Sequence, residues 1–204
     1  VGAKVLRQDG SEAAPGEVGE LVVTQPPLGL TPAIWGDRDR YLETYWSTFP
    51  GLWRHGDWVR CDPDGTWYIL GRSDDTLNIA GKRIGPPEIE AALTETGEVV
   101  DAAAIAAPDD IKGVAVVCVC VAAQGVTPDA ELVEGLKDRV GEIVSKPFRP
   151  REIHFVEALP KTRSMKTMRR IVRAAFLGED PGDLSSISNP ETIQPIADLQ
   201  KEKP

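Results

Sequence analysis

Apolar and polar positions alternate along the first third of the chain at strand length, and further on strand and helix periods succeed one another. Residues 1–6 and 20–24 are short apolar segments separated by the turn-rich QDGSEAAPGEVG, which predicts two antiparallel strands joined by a polar loop. Residues 25–31 are rich in Pro and Gly and predict irregular chain. Over 37–46, Tyr41, Leu42 and Tyr45 fall along one side of a short helix. Residues 53–61 and 66–70 predict a hairpin about the turn Asp62-Pro63-Asp64-Gly65. Leu77, Asn78, Ile79 and Ala80 read as a short strand with Gly81 at the turn beyond it. Pro86 and Pro87 then open a helix in which Ile89, Ala92 and Leu93 keep helical spacing and Gly97 marks the end. Strands over 99–107 and 114–123 bracket Pro108-Asp109-Asp110. An amphipathic helix over 129–145 repeats Leu132, Leu136, Val140, Ile143 and Val144 and is stopped by Pro147 and Pro150. A last strand spans 152–156, and a basic loop over 159–170 leads into a helix through Phe176. Beyond Gly178, the run of Gly, Pro, Ser, Asp and Gln predicts a flexible tail.

The order β–α–β–β–α–β–α over 73–177 predicts a compact α+β domain of about a hundred residues. Residues 1–72 read as β-rich and too thin for a complete domain, and 178–204 as tail. The first residue is Val, set in strand-like sequence, which suggests a piece of a longer polypeptide.

Composition narrows the classes. The chain has 204 residues, 41% hydrophobic and 27% charged, with net charge −9. That acidity argues against nucleic acid or an anionic membrane as partner. No apolar run approaches the roughly 20 residues of a membrane span, and the longest, 114–123, suits a buried strand. Of three cysteines, Cys118 and Cys120 share one face of that strand and Cys61 stands apart. With two His in the chain this is neither a disulfide framework nor a zinc site, and it reads as reduced thiols in a cytosolic protein.

Three segments carry candidate chemistry. The stretch 71–90, GRSDDTLNIAGKRIGPPEIE, sets Arg72, Asp74, Asp75, Lys82 and Arg83 around an apolar strand; residue types alone are equally compatible with a solvated hairpin. Gly56-Asp57 at a strand end can present a carboxylate to a ribose diol, while His55 reads as a structural or surface residue without an obvious partner. The run 159–173 carries Lys161, Arg163, Lys166, Arg169, Arg170 and Arg173 with no acid, which suits a phosphate or carboxylate ligand; on residue types alone a solvated basic helix face is the better reading. No nucleophilic triad and no glycine-rich phosphate loop is present.

The fixed order of these segments is more specific than any of them. Gly56-Asp57, then GRSDDTLN and GKRIG, then LPKTRSMK over 159–166, resembles the C-terminal portion of the adenylate-forming ligases, among them the acyl-CoA synthetases. WGDRDRYLETYWSTFPGLWRHGDW resembles the short-chain acetyl-CoA synthetase branch, and the resemblance covers residues 1–177. It overturns the solvated-face reading of the basic run.

The resemblance implies a fold and an activity. The fold is the family's small C-terminal domain, a three-stranded sheet with flanking helices plus a β-hairpin, preceded by a β-rich remnant of the large N-terminal domain. The activity joins a small carboxylic acid to ATP as acyl-AMP with release of pyrophosphate, then moves the acyl group to coenzyme A. The small domain alternates between two poses, one per half-reaction. By match, Asp57 holds the ribose hydroxyls, Arg72 assists at the ribose or phosphates, Arg83 lies near the phosphates or helps anchor a pose, and Asp74 is the hinge. Ala80 and Gly81 lie along the coenzyme A arm, and Lys166 reaches the carboxylate and α-phosphate during adenylation. Two departures stand out: Met165 where the family has Gly, predicted to shift the loop's path, and Ala80 where close relatives have Ser. The same match makes Lys166 a target for a lysine acyltransferase and deacylase. The phosphate loop, most of the Mg2+ site and the acid pocket are expected upstream of Val1, so this piece alone is expected to be inactive. A medium- or long-chain synthetase, or a non-catalytic coenzyme A- or nucleotide-binding module, are the alternatives.

Overall fold

A computed structural model of the chain describes residues 2–79, 82–110 and 113–200, in two compact units, Val1–Asp74 and Asp75–Pro204. The division lies two residues beyond the boundary expected from the sequence.

The first unit is a four-stranded antiparallel sheet of β1 (Ala3–Leu6), β2 (Val18–Val23), β3 (Trp53–Cys61) and β4 (Trp67–Arg72), side by side in chain order. The turn between β3 and β4 closes as its Asp-Pro-Asp-Gly sequence predicts: Gly65 N–H donates to Asp62 O at 2.9 Å, and Asp62 N–H to Thr66 O at 2.9 Å. Helix α1 (Arg38–Trp46) starts on Asp37, whose side chain accepts the Arg40 N–H at 3.0 Å. The helix meets β3 through aromatic rings, with Tyr45 stacked on Trp53 at 5.1 Å and Trp53 edge-on to His55 at 5.5 Å. Leu6, Val22 and Phe49 form a small core backed by Leu52.

The second unit is built on β7 (Val99–Asp109), β8 (Gly113–Ala122) and β9 (Glu152–Phe155), with β8 central, antiparallel to β7 and parallel to β9. The unbroken apolar run of β8 has a direct consequence: both of its faces must be covered. Val116, Cys118 and Cys120 point into one core, together with Ile89 and Leu93 of α2 (Pro86–Thr94) and Leu136 and Val140 of α3 (Ala130–Ile143). Val117 and Val119 point into another, with Val172 and Phe176 of α4 (Arg169–Leu177) and Ile196 of α5 (Ile193–Asp198). The hairpin β5 (Leu77–Ile79) and β6 (Lys82–Ile84) lays Leu77, Ile79 and Ile84 on the first of these cores. This is the α+β architecture expected, a three-stranded sheet between helices with a separate hairpin. No helix among the described residues is long and apolar enough to cross a membrane.

Three expectations need correction. Strand β7 runs through Pro108 to Asp109 rather than ending at 107, and it does so on a sheet edge, where a proline is tolerated. On α3, Ile143 is 48% exposed although it follows the apolar repeat. The tail from 178 onward is ordered through the described residues: a 3-10 turn at Pro190–Thr192 leads into α5, and Ile196 is fully buried beside Leu159 and Phe176. Polar composition hid the short apolar repeat Ile193, Ile196, Ala197, Leu199, which is enough to cover the outer face of α4 and β8.

Two measurements check this packing. Replacing Ile196 by Ala should cost about 2–5 kcal/mol in chemical denaturation, against almost nothing if the tail were loose. Burial raises both sheet thiols, Cys120 to about 12 and Cys118 well above its ordinary value, while Cys61 is partly exposed. A thiol reagent at pH 8 should therefore modify one cysteine in the native chain and three after denaturation.

Candidate functional site

In the first unit the residues expected to handle a ribose converge where β3 meets β4. Asp57 and Arg72 are register partners across the two strands. Between Trp58 and Val59 the pairing slips by one, leaving Leu70 as an extra residue, and this bulge turns the end of β4 that carries Arg72. The Arg72 guanidinium lies over Gly56: a β-carbon there would sit 2.8 Å from Nη2, and Gly56 has φ +87°. The positive φ favours glycine at that position, and the missing side chain leaves room for the guanidinium as it lies here. Arg72 Nη1 is 3.9 Å from Asp57 Oδ1 and donates to His55 O at 3.3 Å. Asp57 itself is nearly buried, and its Oδ2 is 2.5 Å from His55 Nδ1. His55, unpartnered in the sequence reading, is thus wedged between the edge of Trp53 and the carboxylate of Asp57.

Arg72 reaches the other way as well, donating from Nε and Nη2 to the two oxygens of Asp74 at 3.0 and 3.1 Å. Partial burial pushes the Asp74 carboxyl up, but the hydrogen bonds and charge of Arg72 outweigh it and hold the carboxyl below its usual range. The pair is therefore formed above the ordinary carboxylate range and lost as pH falls through the depressed value. Beneath it lies a network that the sequence reading did not anticipate. Glu20 is 5% exposed, its Oε2 3.2 Å from Arg54 Nε and its Oε1 accepting from Ser73 Oγ at 3.1 Å, while Arg54 Nη2 donates to Ser73 Oγ at 2.8 Å. Ser73 N–H also donates to Gly56 O at 2.9 Å. A buried carboxylate so satisfied fixes the chain just before Asp74.

Lys166 belongs to the second unit, on a tight hairpin. Thr162 N–H donates to Lys166 O at 2.9 Å, Met165 N–H to Thr162 O at 2.8 Å, and Lys166 N–H to Thr162 Oγ1 at 3.1 Å. Met165 has φ +62° and is the one non-glycine in the left-handed region among the described residues. Met165 thus takes a conformation that suits glycine, at a cost of about 1–2 kcal/mol.

Half of the basic run is neutralised where it stands, and Arg170 is tied to backbone carbonyls. Lys161 Nζ pairs with Asp101 at 2.5 Å, Arg173 with Glu179 at 2.6 Å, and Arg170 donates to Pro181 O and Asp183 O. Arg169 makes two parallel bonds to Glu90, at 2.6 and 2.5 Å, and lies 3.7 Å from Asp75; the Glu90 bonds raise its already high pKa further. Within the run, no ion pair is formed by Arg163, Lys166 or Arg170 among the described residues, and all three are exposed; Arg170 is held by backbone carbonyls. The site is thus an available Lys166 ammonium on a braced turn, with the Arg163 guanidinium beside it. Arg83 sits on β6 opposite Asn78. Ala80 and Gly81 lie outside the described residues. Among those described, no three His, Cys, Asp or Glu side chains converge as a metal-binding group would.

Residues 88–166 match the family model of the AMP-binding enzyme C-terminal domain, a match that closes on Lys166. The second unit therefore carries an AMP-binding enzyme C-terminal domain. The chain belongs more narrowly with the C-terminal portion of the acetyl-CoA synthetase-like acyl-CoA synthetases. It is 39% identical over 190 residues to the acetyl-coenzyme A synthetase of Pyrobaculum aerophilum, covering 93% of this chain and 28% of that protein. It is 39% identical over 205 residues to the 3-hydroxypropionyl-coenzyme A synthetase of Metallosphaera sedula, covering 98% of this chain and 31% of that protein. The acetoacetyl-CoA synthetase of Streptomyces lividans superposes with a TM-score of 0.85 at 29% identity, covering 98% of this chain and 30% of that one. The chain thus spans about 30% of the length of the relatives it matches.

Met165 yields a direct test. Substitution to glycine usually destabilises, yet Met165→Gly should leave stability unchanged or raise it by up to about 1 kcal/mol, because relief of the left-handed strain offsets the added chain entropy. A loss of 1 kcal/mol or more in urea titration would show that Met165 is not strained.

Proposed function

We propose that this chain is the hinge and mobile C-terminal part of an AMP-forming short-chain acyl-CoA synthetase, with Lys166 as the catalytic residue of adenylation. The observation that carries the reading is the exposed Lys166 ammonium, without an ion-pair partner among the described residues, on a hairpin braced by its own backbone and by the paired Lys161 and Arg169. When a carboxylate attacks the α-phosphate of ATP, negative charge gathers on the phosphoryl oxygens. An ammonium held on a fixed turn stabilises that charge in the transition state, and a flexible lysine stem withdraws as the domain moves away.

In this reading Asp57 accepts the ribose hydroxyls, held by Arg72 and His55, and Arg72 shifts between Asp57 and Asp74 as the pivot turns. The unit boundary after Asp74 supports the hinge assignment, and Arg83 on the β5–β6 hairpin meets phosphates or anchors one pose. Ala80 and Gly81 carry the coenzyme A contacts. A small carboxylic acid, ATP and coenzyme A are the substrates, and the acetyl-, 3-hydroxypropionyl- and acetoacetyl-CoA synthetases described above support the short-chain choice. The left-handed conformation that Met165 adopts, one suited to glycine, favours the enzyme over a non-catalytic module. The exposed apolar residues of the first unit, among them Trp67 at 43% and Ile69 at 71%, support its being the edge of a larger N-terminal domain. Acylation of Lys166 would remove the charge the step needs.

The test uses the full-length gene product. Lys166→Ala should lower acetate- or propionate-dependent ATP–pyrophosphate exchange by at least ~100-fold while leaving thioester formation from supplied acyl-AMP within about twofold. Intact exchange in that variant would sink the role given to Lys166.

A further inference from the structure

The tail, which the activity proposed above does not use, lies against the hairpin that the activity depends on. Thr162 forms an antiparallel bridge to Ile187 on one side of the hairpin, while Lys161 bridges Thr167 within it. Ser188 donates to Lys161 O twice, from N–H at 2.8 Å and from Oγ at 3.0 Å. Asn189 completes the set with its side chain: Oδ1 accepts the Lys161 N–H at 2.8 Å, and Nδ2 donates to Leu159 O at 2.9 Å. One amide thus supplies the acceptor and donor that a neighbouring strand would offer to alternate residues.

This segment is itself fastened at both ends. Upstream, the Arg170 guanidinium holds Pro181 O and Asp183 O. Downstream, Thr192 Oγ1 donates to Asn189 O at 2.7 Å, and α5 buries Ile196 in the core. On its far side the hairpin is tied by Lys161 Nζ to Asp101 at 2.5 Å and to Thr167 Oγ1 at 3.0 Å. At the hairpin's base Leu159 O, Pro160 O, both backbone groups of Lys161 and the Thr162 N–H are engaged, and the turn and the Lys166 stem extend beyond them.

We propose that residues 184–189 act as a third-strand clasp on the Lys166 hairpin and that Asn189 is a positioning residue for Lys166. The inference rests on the adenylation role proposed for Lys166. A lysine that must meet a reacting phosphoryl group gains rate from a fixed base, since misplacement by about 1 Å can cost on the order of 100-fold. The clasp acts in adenylation and is idle in thioester formation, where Lys166 takes no part.

The experiment compares Asn189→Ala and Asn189→Asp in the full-length protein. Asp keeps an acceptor for the Lys161 N–H and loses the donor to Leu159 O. Native-state hydrogen exchange should show faster exchange of the 161–167 amides in Asn189→Ala. Adenylation kcat should fall about tenfold with the KM for ATP little changed, and Asn189→Asp should recover part of it. Thioester formation from supplied acyl-AMP should stay at the level of the unsubstituted protein. Unchanged exchange at 161–167, unchanged adenylation, or an equal fall in both half-reactions would each overturn the proposal. If Lys166→Ala leaves adenylation intact, the fault lies in the role given to Lys166, and the exchange measurement still decides whether the clasp exists.

Discussion

The double hydrogen bond between Arg169 and Glu90 is the constraint on which the second unit's candidate site depends. Arg169 begins α4 three residues after Lys166, so the position of its guanidinium sets where the hairpin starts and ends. Glu90, on α2, also accepts the Ala104 N–H of β7 at 3.0 Å, and Asp75 lies 3.7 Å from Arg169. One side chain therefore ties together the sheet, a helix on one face of it, the helix on the other and the residue that follows Asp74. Both partners are largely withdrawn from water, at 24% and 12% exposure, so loss of either would leave a poorly solvated charge at a cost of about 3–5 kcal/mol.

What that pair aligns is made possible by β8. Its alternate residues feed two separate cores, and a strand buried on both faces cannot shift register without moving both. Helices α2 and α4 are thereby seated on opposite faces of one rigid strand pair, and the Arg169–Glu90 contact passes beside the edge strand β7 that joins them. The hairpin holding Lys166 inherits its position from this frame, from Lys161 on Asp101 and from the tail. Met165 shows the force of that frame: the surroundings hold a methionine in a conformation that suits glycine, one residue before the lysine proposed to act.

The first unit solves a different problem with the same means. Arg72 faces two carboxylates, Asp57 at 3.9 Å and Asp74 at 3.0 Å, and is stacked over a glycine that leaves it room. A guanidinium with acceptors on both sides has donors to offer each, which would suit the hinge proposed at Asp74. The buried Glu20–Arg54–Ser73 network keeps the chain fixed up to that point.

Much of the architecture was legible in the sequence because it follows from local period and turn chemistry. The apolar run of β8 announced a strand covered on both faces, Asp62-Pro63-Asp64-Gly65 announced its hairpin, and Pro86-Pro87 announced the start of α2. The order of Gly56-Asp57, Arg72, Asp74 and Lys166 was enough to assemble a candidate site. The contacts that hold the site were not legible, because they join residues far apart: Arg169 and Glu90 are separated by 79 positions, Ser73 and Glu20 by 53, and Lys161 and Asn189 by 28. No short-range pattern selects one acid among many as the partner of a given Arg. The tail was misread for a related reason, since its polar composition outweighed four apolar residues whose worth depends on a face supplied by α4 and β8. The sequence by itself determined the elements, their order and the chemistry available on them. Tertiary structure decided which cations are spent on local carboxylates and which are left exposed, because neutralisation is a matter of distance in space.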